Sequence, residues 1–72
     1  MTIKELMADS FGKVVTIHTA EDDVITGLNV LYEDEIDNED DEFPEPSITI
    51  RSEKNGEYQV FYERDISQIE IR

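Results

Sequence analysis

An acidic segment at residues 33–46 constrains this chain more than any other feature, because it holds nine carboxylates, two prolines and no cation. A block of like charge repels itself and cannot bury apolar area, so we expect a solvated loop. The stretches on either side are each too short to be a domain. Since the chain has 72 residues, both stretches should share one core. We therefore predict a single domain over residues 1–72 with an acidic loop at about 33–46.

A short amphipathic helix is predicted before the first β run. Thr2 and Glu5 have the spacing of a capping box, and Ile3, Leu6 and Met7 recur with helical periodicity. A helix of two turns is not stable alone, so its apolar face must lie on other apolar groups. We expect it to plug the open end of a sheet or barrel.

The rest of the chain has the β-branched composition and alternation of short strands. Gly27 interrupts the second apolar run and predicts a sharp bend or bulge there. Asn55-Gly56 is a hairpin turn signal between the third and fourth runs. A mainly β fold is expected, in which the helix precedes a five-stranded, strongly bent antiparallel small barrel of the Sm-like or SH3-like kind. The five predicted strands cover residues 13–20, 24–32, 47–51, 57–62 and 66–71.

Three segments of the chain resemble the Sm-like (LSm) fold: residues 11–17 (FGKVVTI), 25–28 (ITGL) and 61–71 (FYERDISQIEI). The last of these, preceded by an acidic loop and an Ile-rich strand, is similar to small LSm proteins of Firmicutes type. The resemblance covers nearly the whole chain. It implies an open barrel of five bent strands capped by a helix, in which strand four of one subunit can pair with strand five of the next.

The resemblance does not extend to the RNA-binding motifs of that superfamily. RNA-binding members carry Arg-Gly before strand five, and the matching positions here are Tyr62 and Glu63. Their Asp-x-apolar-Asn motif has its nearest match at residues 34–38, at the wrong distance from Gly27. The Lys-His signature of the bacterial Hfq type is also missing. The formal net charge of −13 opposes phosphate binding, so we expect nucleic-acid binding to be unfavourable.

Catalysis is not indicated by any residue pattern. The one histidine, His18, lies in a predicted strand with no orienting partner in sequence, and no serine lies in a nucleophile elbow. The chain has no cysteine, which removes disulfides and thiolate metal sites. We expect a protein that is not an enzyme and has no cofactor.

The acidic loop is the candidate protein-binding site, because dense carboxylates attract basic surfaces. Oxygen-rich clusters also suit calcium or magnesium, but the loop lacks the residue order and glycine of a calcium-binding loop, so we predict no metal site. The candidate residues are Glu33, Asp34, Glu35, Asp37, Glu39, Asp40, Asp41 and Glu42.

We therefore predict a non-enzymatic Sm-like interaction module that meets a protein partner through a strand edge and the acidic loop. Strand-edge pairing also makes a homo-oligomer plausible. One alternative is a degenerate LSm RNA-binding protein. The other is an acidic mimic of nucleic acid that inhibits a nucleic-acid-binding enzyme. No apolar run approaches the about 20 residues that span a bilayer, and no signal-peptide pattern occurs, so we expect a cytoplasmic protein without membrane association.

Overall fold

The computed structural model describes residues 1–35 and 44–72, which form one short helix and five antiparallel strands in one sheet. The helix and the strands predicted from sequence are confirmed, with ends that differ by a residue or so. A single 3-10 turn, Glu63–Asp65, joins the last two strands. The elements are α1 (Ile3–Asp9), β1 (Val14–Thr19), β2 (Val24–Glu33), β3 (Ser47–Ser52), β4 (Tyr58–Tyr62) and β5 (Ile66–Ile71).

The five strands form one sheet with two edges and do not form the small barrel that is predicted from the sequence. Its strand order is β4-β3-β2-β1-β5, so β4 and β5 form the two edges. Among the described residues no pairing joins β4 to β5. The two strands are separated by the 3-10 turn Glu63–Asp65, which redirects the chain after β4 instead of making a hairpin. Within residues 1–35 and 44–72, each edge strand therefore has one side without a neighbouring strand.

The core lies on one face of the sheet. Val15, Ile17 and Thr19 of β1 are buried, as their shared face in the sequence predicts. The helix packs its predicted face onto this core, with Met7 fully buried and Ile3 and Leu6 partly buried. The buried apolar residues are Met7, Val15, Ile17, Ile48, Ile50, Phe61, Ile66 and Ile69.

Helix α1 begins with the predicted capping box. The Thr2 hydroxyl accepts from the Glu5 N–H at 3.1 Å, and the Glu5 carboxylate accepts from the Thr2 N–H at 3.3 Å. Both contacts satisfy N–H groups that a helix start leaves without partners. The helix has seven residues, and no helix in the described part of the chain is long and apolar enough to cross a membrane.

The irregularity in β2 lies two residues beyond the predicted position. Gly27 is paired regularly with Val15 and Ser52, and the register shifts between Asn29 and Leu31. Gly27 is required for space: a Cβ there would overlap the Arg51 carbonyl oxygen and lie 2.7 Å from Ile50 Cγ2. The expectation of a bulge at Gly27 is therefore wrong. The glycine instead lets two backbones approach closely.

Asn29 fastens the helix to the sheet. Its side chain is fully buried, and its Nδ2 donates to the Met7 carbonyl at 3.2 Å and to Ser10 Oγ at 2.9 Å. Its Oδ1 accepts from the Leu31 N–H at 3.2 Å, across the register shift. One side-chain amide thus provides hydrogen-bond partners both for polar groups at the end of α1 and for a backbone N–H in the irregular stretch of β2. These bonds hold α1 over the core.

Candidate functional site

Two ion pairs hold the ends of the acidic segment (residues 33–46). Lys4 Nζ in α1 lies 2.5 Å from Glu35 Oε1, just after β2. Arg64 Nη1 in the 3-10 turn lies 2.9 Å from Glu45 Oε2, just before β3. The Glu45 side chain is only 18% exposed, whereas its partner Arg64 is 57% exposed and both members of the first pair are close to half exposed. These contacts fix where the chain leaves β2 and enters β3.

The first of these ion pairs belongs to a small electrostatic cluster with Tyr32. The hydrogen bond to Glu35 raises the pKa of the Lys4 ammonium above its usual 10.5. Partial burial raises the pKa of the Tyr32 hydroxyl above its usual 10.0, and the charge of nearby Asp34 adds to this effect while Lys4 opposes it. Both groups therefore keep their protons to higher pH in the folded chain.

Three of the eight predicted site residues lie in the described part of the chain, and five lie outside it. Glu33 ends β2 opposite Ser47, and Asp34 and Glu35 follow it; all three are half-buried. In residues 1–35 and 44–72, no three carboxylate or imidazole groups come together to hold a metal ion. The other predicted site residues, Asp37, Glu39, Asp40, Asp41 and Glu42, lie outside the described residues.

His18 lies on the outer face of β1, opposite the core. Its Nε2 is 3.4 Å from Glu70 Oε2 on β5, and both side chains are substantially exposed. Ser67 donates through its hydroxyl to the His18 carbonyl at 2.9 Å, not to the imidazole ring. This arrangement is a surface cross-strand pair, and the contacts of His18 in the described chain include no nucleophile that it could activate.

The positions that correspond to the RNA-gripping Arg-Gly lie at the end of β4. Tyr62 is half-buried, and Glu63 opens the 3-10 turn. The nearest cation, Arg64, lies 5.1 Å from the centre of the Tyr62 ring and is paired with Glu45. Its charge is therefore already engaged by a carboxylate and an aromatic face.

The outward-facing backbone of β4 forms a free edge. The Ser52 N–H donates to the Glu57 carbonyl at 2.9 Å, and the Glu63 N–H donates to the Pro46 carbonyl at 3.1 Å. Bonded pairs recur at every second residue in an antiparallel ladder, so the intervening β4 residues Tyr58, Val60 and Tyr62 point their backbone away from β3. Asp65 Oδ2 accepts from the Tyr62 N–H at 3.0 Å. The open part of the edge is therefore Tyr58 and Val60.

The outer face of β2, β3 and β4 carries an exposed apolar surface. The register places Leu31, Thr49 and Val60 in one cross-strand row. The next row along the strands contains Leu28, Arg51 and Tyr58. We call the exposed apolar residues of these rows the outer patch: Leu28, Leu31, Tyr58 and Val60, which are 36%, 43%, 64% and 55% exposed.

On the inner side of the same edge, an acid-lined cleft separates β4 from the β1–β2 turn. It consists of two adjoining open cavities of about 620 and 280 Å³, which share Asp23, Ile25 and Gln59. Ile25 and Phe61 form the apolar part of the cleft wall, and carboxylates lie around this apolar part. Among the described residues, the Glu21 and Asp23 carboxylates have no hydrogen-bond or ion-pair partner. The cleft is lined by four acidic residues, Glu21, Asp23, Glu53 and Asp65, and by one basic residue, Lys54.

No family model, curated protein or solved structure matches the chain. These comparisons therefore assign the chain to no family. The resemblance implies that strand four can pair with another subunit, but the sequence does not single out Tyr58, Val60 or the acid-lined cleft beside them. The sequence Tyr58-Gln59-Val60 alternates large apolar and polar residues. This local pattern indicates an edge only when the order of the strands is known.

Proposed function

We propose that this protein is a non-enzymatic Sm-like interaction module that binds a protein partner through the free edge of β4, with the acidic segment as a second contact. The proposal rests on one observation: the same two residues of β4, Tyr58 and Val60, form the free strand edge and part of the exposed apolar surface. Tyr58 and Val60 present backbone groups that have no partner strand in the described part of the chain, and also large exposed side chains. An edge of this kind can accept a strand from another chain.

The Sm-like assignment is supported by the order of the elements. A short amino-terminal helix precedes five antiparallel strands, and the first strand lies between the second and the fifth. The edges are the fourth and fifth strands, which are the ones that the resemblance implies for pairing between subunits. A homo-oligomer through these edges therefore stays a prediction.

Charge favours a protein partner over RNA. The formal net charge is −13, and the cation nearest to the expected RNA-gripping positions, Arg64, is paired with Glu45. Phosphate binding requires several available cations, because the release of counterions supplies most of the affinity. The carboxylates of residues 33–46 instead attract basic protein surfaces and speed association with them.

Affinity capture from native lysate tests the proposal when the edge and the acidic segment are altered separately. Val60→Pro removes an outward-facing N–H without removing a bond to β3, and Val60→Lys places a charge on the same edge. Gln68→Lys makes the same kind of change on the outer face of β5, away from the β4 edge, and serves as the matched control. The loop variant neutralises Asp37, Glu39, Asp40, Asp41 and Glu42 to Asn or Gln.

We expect the loop variant to fold normally, and each variant is checked by circular dichroism before capture. Proteins bound by the wild type and by Gln68→Lys, but lost from both Val60 variants, support the proposal. If the captured proteins are lost from the loop variant alone, the acidic segment is the binding site and the β4 edge is not. RNA recovered equally with every variant would contradict the proposal and favour the degenerate LSm alternative.

A further inference from the structure

We infer that the segment which docks on β4 is an extended cationic strand in which Lys or Arg side chains alternate with β-branched or aromatic ones. This inference rests on the proposed function and adds the chemistry of the partner. It follows from the position of β4, which has the outer patch on one side and the acid-lined cleft on the other. A strand that pairs with this edge must present one set of side chains to each.

On the outer side, the added strand would continue the cross-strand rows of the sheet. Its residues beside Tyr58 and Val60 would place their side chains against two groups that are 64% and 55% exposed. Aromatic and β-branched side chains gain most from such cross-strand contacts. The outer patch therefore selects apolar residues at every second position.

On the inner side, the intervening residues of the added strand would face the cleft beside Gln59 and Phe61. Ile25 and Phe61 offer apolar wall to the aliphatic stem of a lysine or arginine. The Glu21 and Asp23 carboxylates, which lack partners among the described residues, are available to the charged head. The cleft therefore selects basic residues at the alternate positions.

The β4 strand of a second copy fits this edge less well than a cationic strand does. Pairing of β4 with β4 would bring two acid-lined clefts together, and each chain has a formal net charge of −13. Like charges oppose such an approach, whereas a cationic strand neutralises the cleft and is attracted from a distance. The charge of the cleft thus favours a basic strand over the β4 strand of a second copy.

Short capped peptides with alternating residues are the probes that test the inference. The lead peptide alternates lysine with valine. One comparator replaces each lysine with glutamate, and a second replaces each lysine with threonine. A third keeps the lysines but is N-methylated on one strand edge, which prevents backbone pairing. Binding is followed by amide chemical shifts of Tyr58 and Val60 and by isothermal calorimetry.

Two charge-matched variants separate the cleft from the general acidity of the chain. Glu21→Gln/Asp23→Asn neutralises the cleft, and Asp9→Asn/Glu70→Gln makes the same change in charge outside the cleft. We expect the first variant to weaken binding of the lysine peptide about three- to tenfold, as loss of two exposed ion pairs implies. The second should weaken it less than about twofold, as screening of distant charges implies.

The inference is supported if the lysine peptide shifts Tyr58 and Val60, the glutamate and N-methylated peptides do not, and the cleft variant alone loses affinity. If the threonine peptide binds the edge as tightly as the lysine peptide, the proposed function stands and the cationic partner is refuted. If no peptide moves Tyr58 or Val60, docking on β4 itself is refuted. Equal weakening by the two charge variants would also overturn the role of the cleft.

Discussion

Replacing Gly27 by alanine should destabilise the fold far more than the same replacement at Gly12. Gly27 is buried where β2 passes β3, and an added Cβ would overlap the Arg51 carbonyl oxygen and lie 2.7 Å from Ile50 Cγ2. Normal contacts between carbon atoms are about 3.5–4.0 Å. The two strands must therefore separate, or the core around Ile50 must shift.

The cost follows from the two adjustments that this overlap requires. Overpacking of a core costs about 1–3 kcal/mol, and each ladder hydrogen bond that is stretched or lost costs about 0.5–1.5 kcal/mol. We expect Gly27→Ala to lower the free energy of unfolding by about 3–5 kcal/mol. Domains of this size are stable by about 4–10 kcal/mol, so a large part of the stability would be lost.

Gly12→Ala is the matched control, because the added methyl group there has nothing within 4 Å. Its cost should come from the backbone alone, since Gly12 has a φ of +80° and L residues pay about 1–2 kcal/mol in that region. Urea denaturation followed by circular dichroism measures both variants. If Gly27→Ala costs no more than Gly12→Ala, the close approach of β2 and β3 at Gly27 is refuted.

Three further perturbations test the core, the helix attachment and the Tyr32 cluster. Ile69→Ala should cost about 2–5 kcal/mol in urea denaturation, because Ile69 is 5% exposed in the core; a neutral result would mean that β5 is not packed as described. Asn29→Ala should cost about 2–4 kcal/mol, because it leaves the Leu31 N–H without its acceptor and removes the donor to the Met7 carbonyl and to Ser10 Oγ, and among the described residues only the Ser10 hydroxyl then donates to that carbonyl; unchanged stability would contradict the attachment of α1. Because burial raises the pKa of Tyr32, the folded chain binds more protons than the unfolded chain near pH 10, so stability should fall as pH rises above about 10. Tyr32→Phe should flatten this fall, and an identical pH profile would argue against the burial effect.

Local patterns in the sequence predict most of the secondary structure. The capping box of Thr2 and Glu5 and the shared face of Val15 and Ile17 depend only on neighbours in the chain, and both are confirmed. The sequence does not predict the role of Gly27, because the restriction at this position comes from a carbonyl on β3, 24 positions along the chain. A glycine in a strand looks the same in sequence whether it serves a bulge or a close approach.

The candidate site depended on contacts between distant segments, which the sequence alone does not specify. Charge counting identified the acidic segment, but the ion pairs that hold its ends involve Lys4 and Arg64 from other elements. To identify the free edge of β4, one must know the order of the strands and which alternate residues of β4 form backbone hydrogen bonds with β3. The open sheet, with β4 and β5 at its two edges, likewise depends on pairings between distant strands.

Amide hydrogen exchange measured residue by residue on the free chain tests most directly whether β4 is a free edge for docking. Gln59 and Phe61 point their N–H groups toward β3 and should be protected. Tyr58 and Val60 point theirs away from the sheet and should exchange close to the rate of unstructured peptide. Protection of Tyr58 and Val60 equal to that of Gln59 and Phe61 would show that the edge is already covered, and would contradict the account.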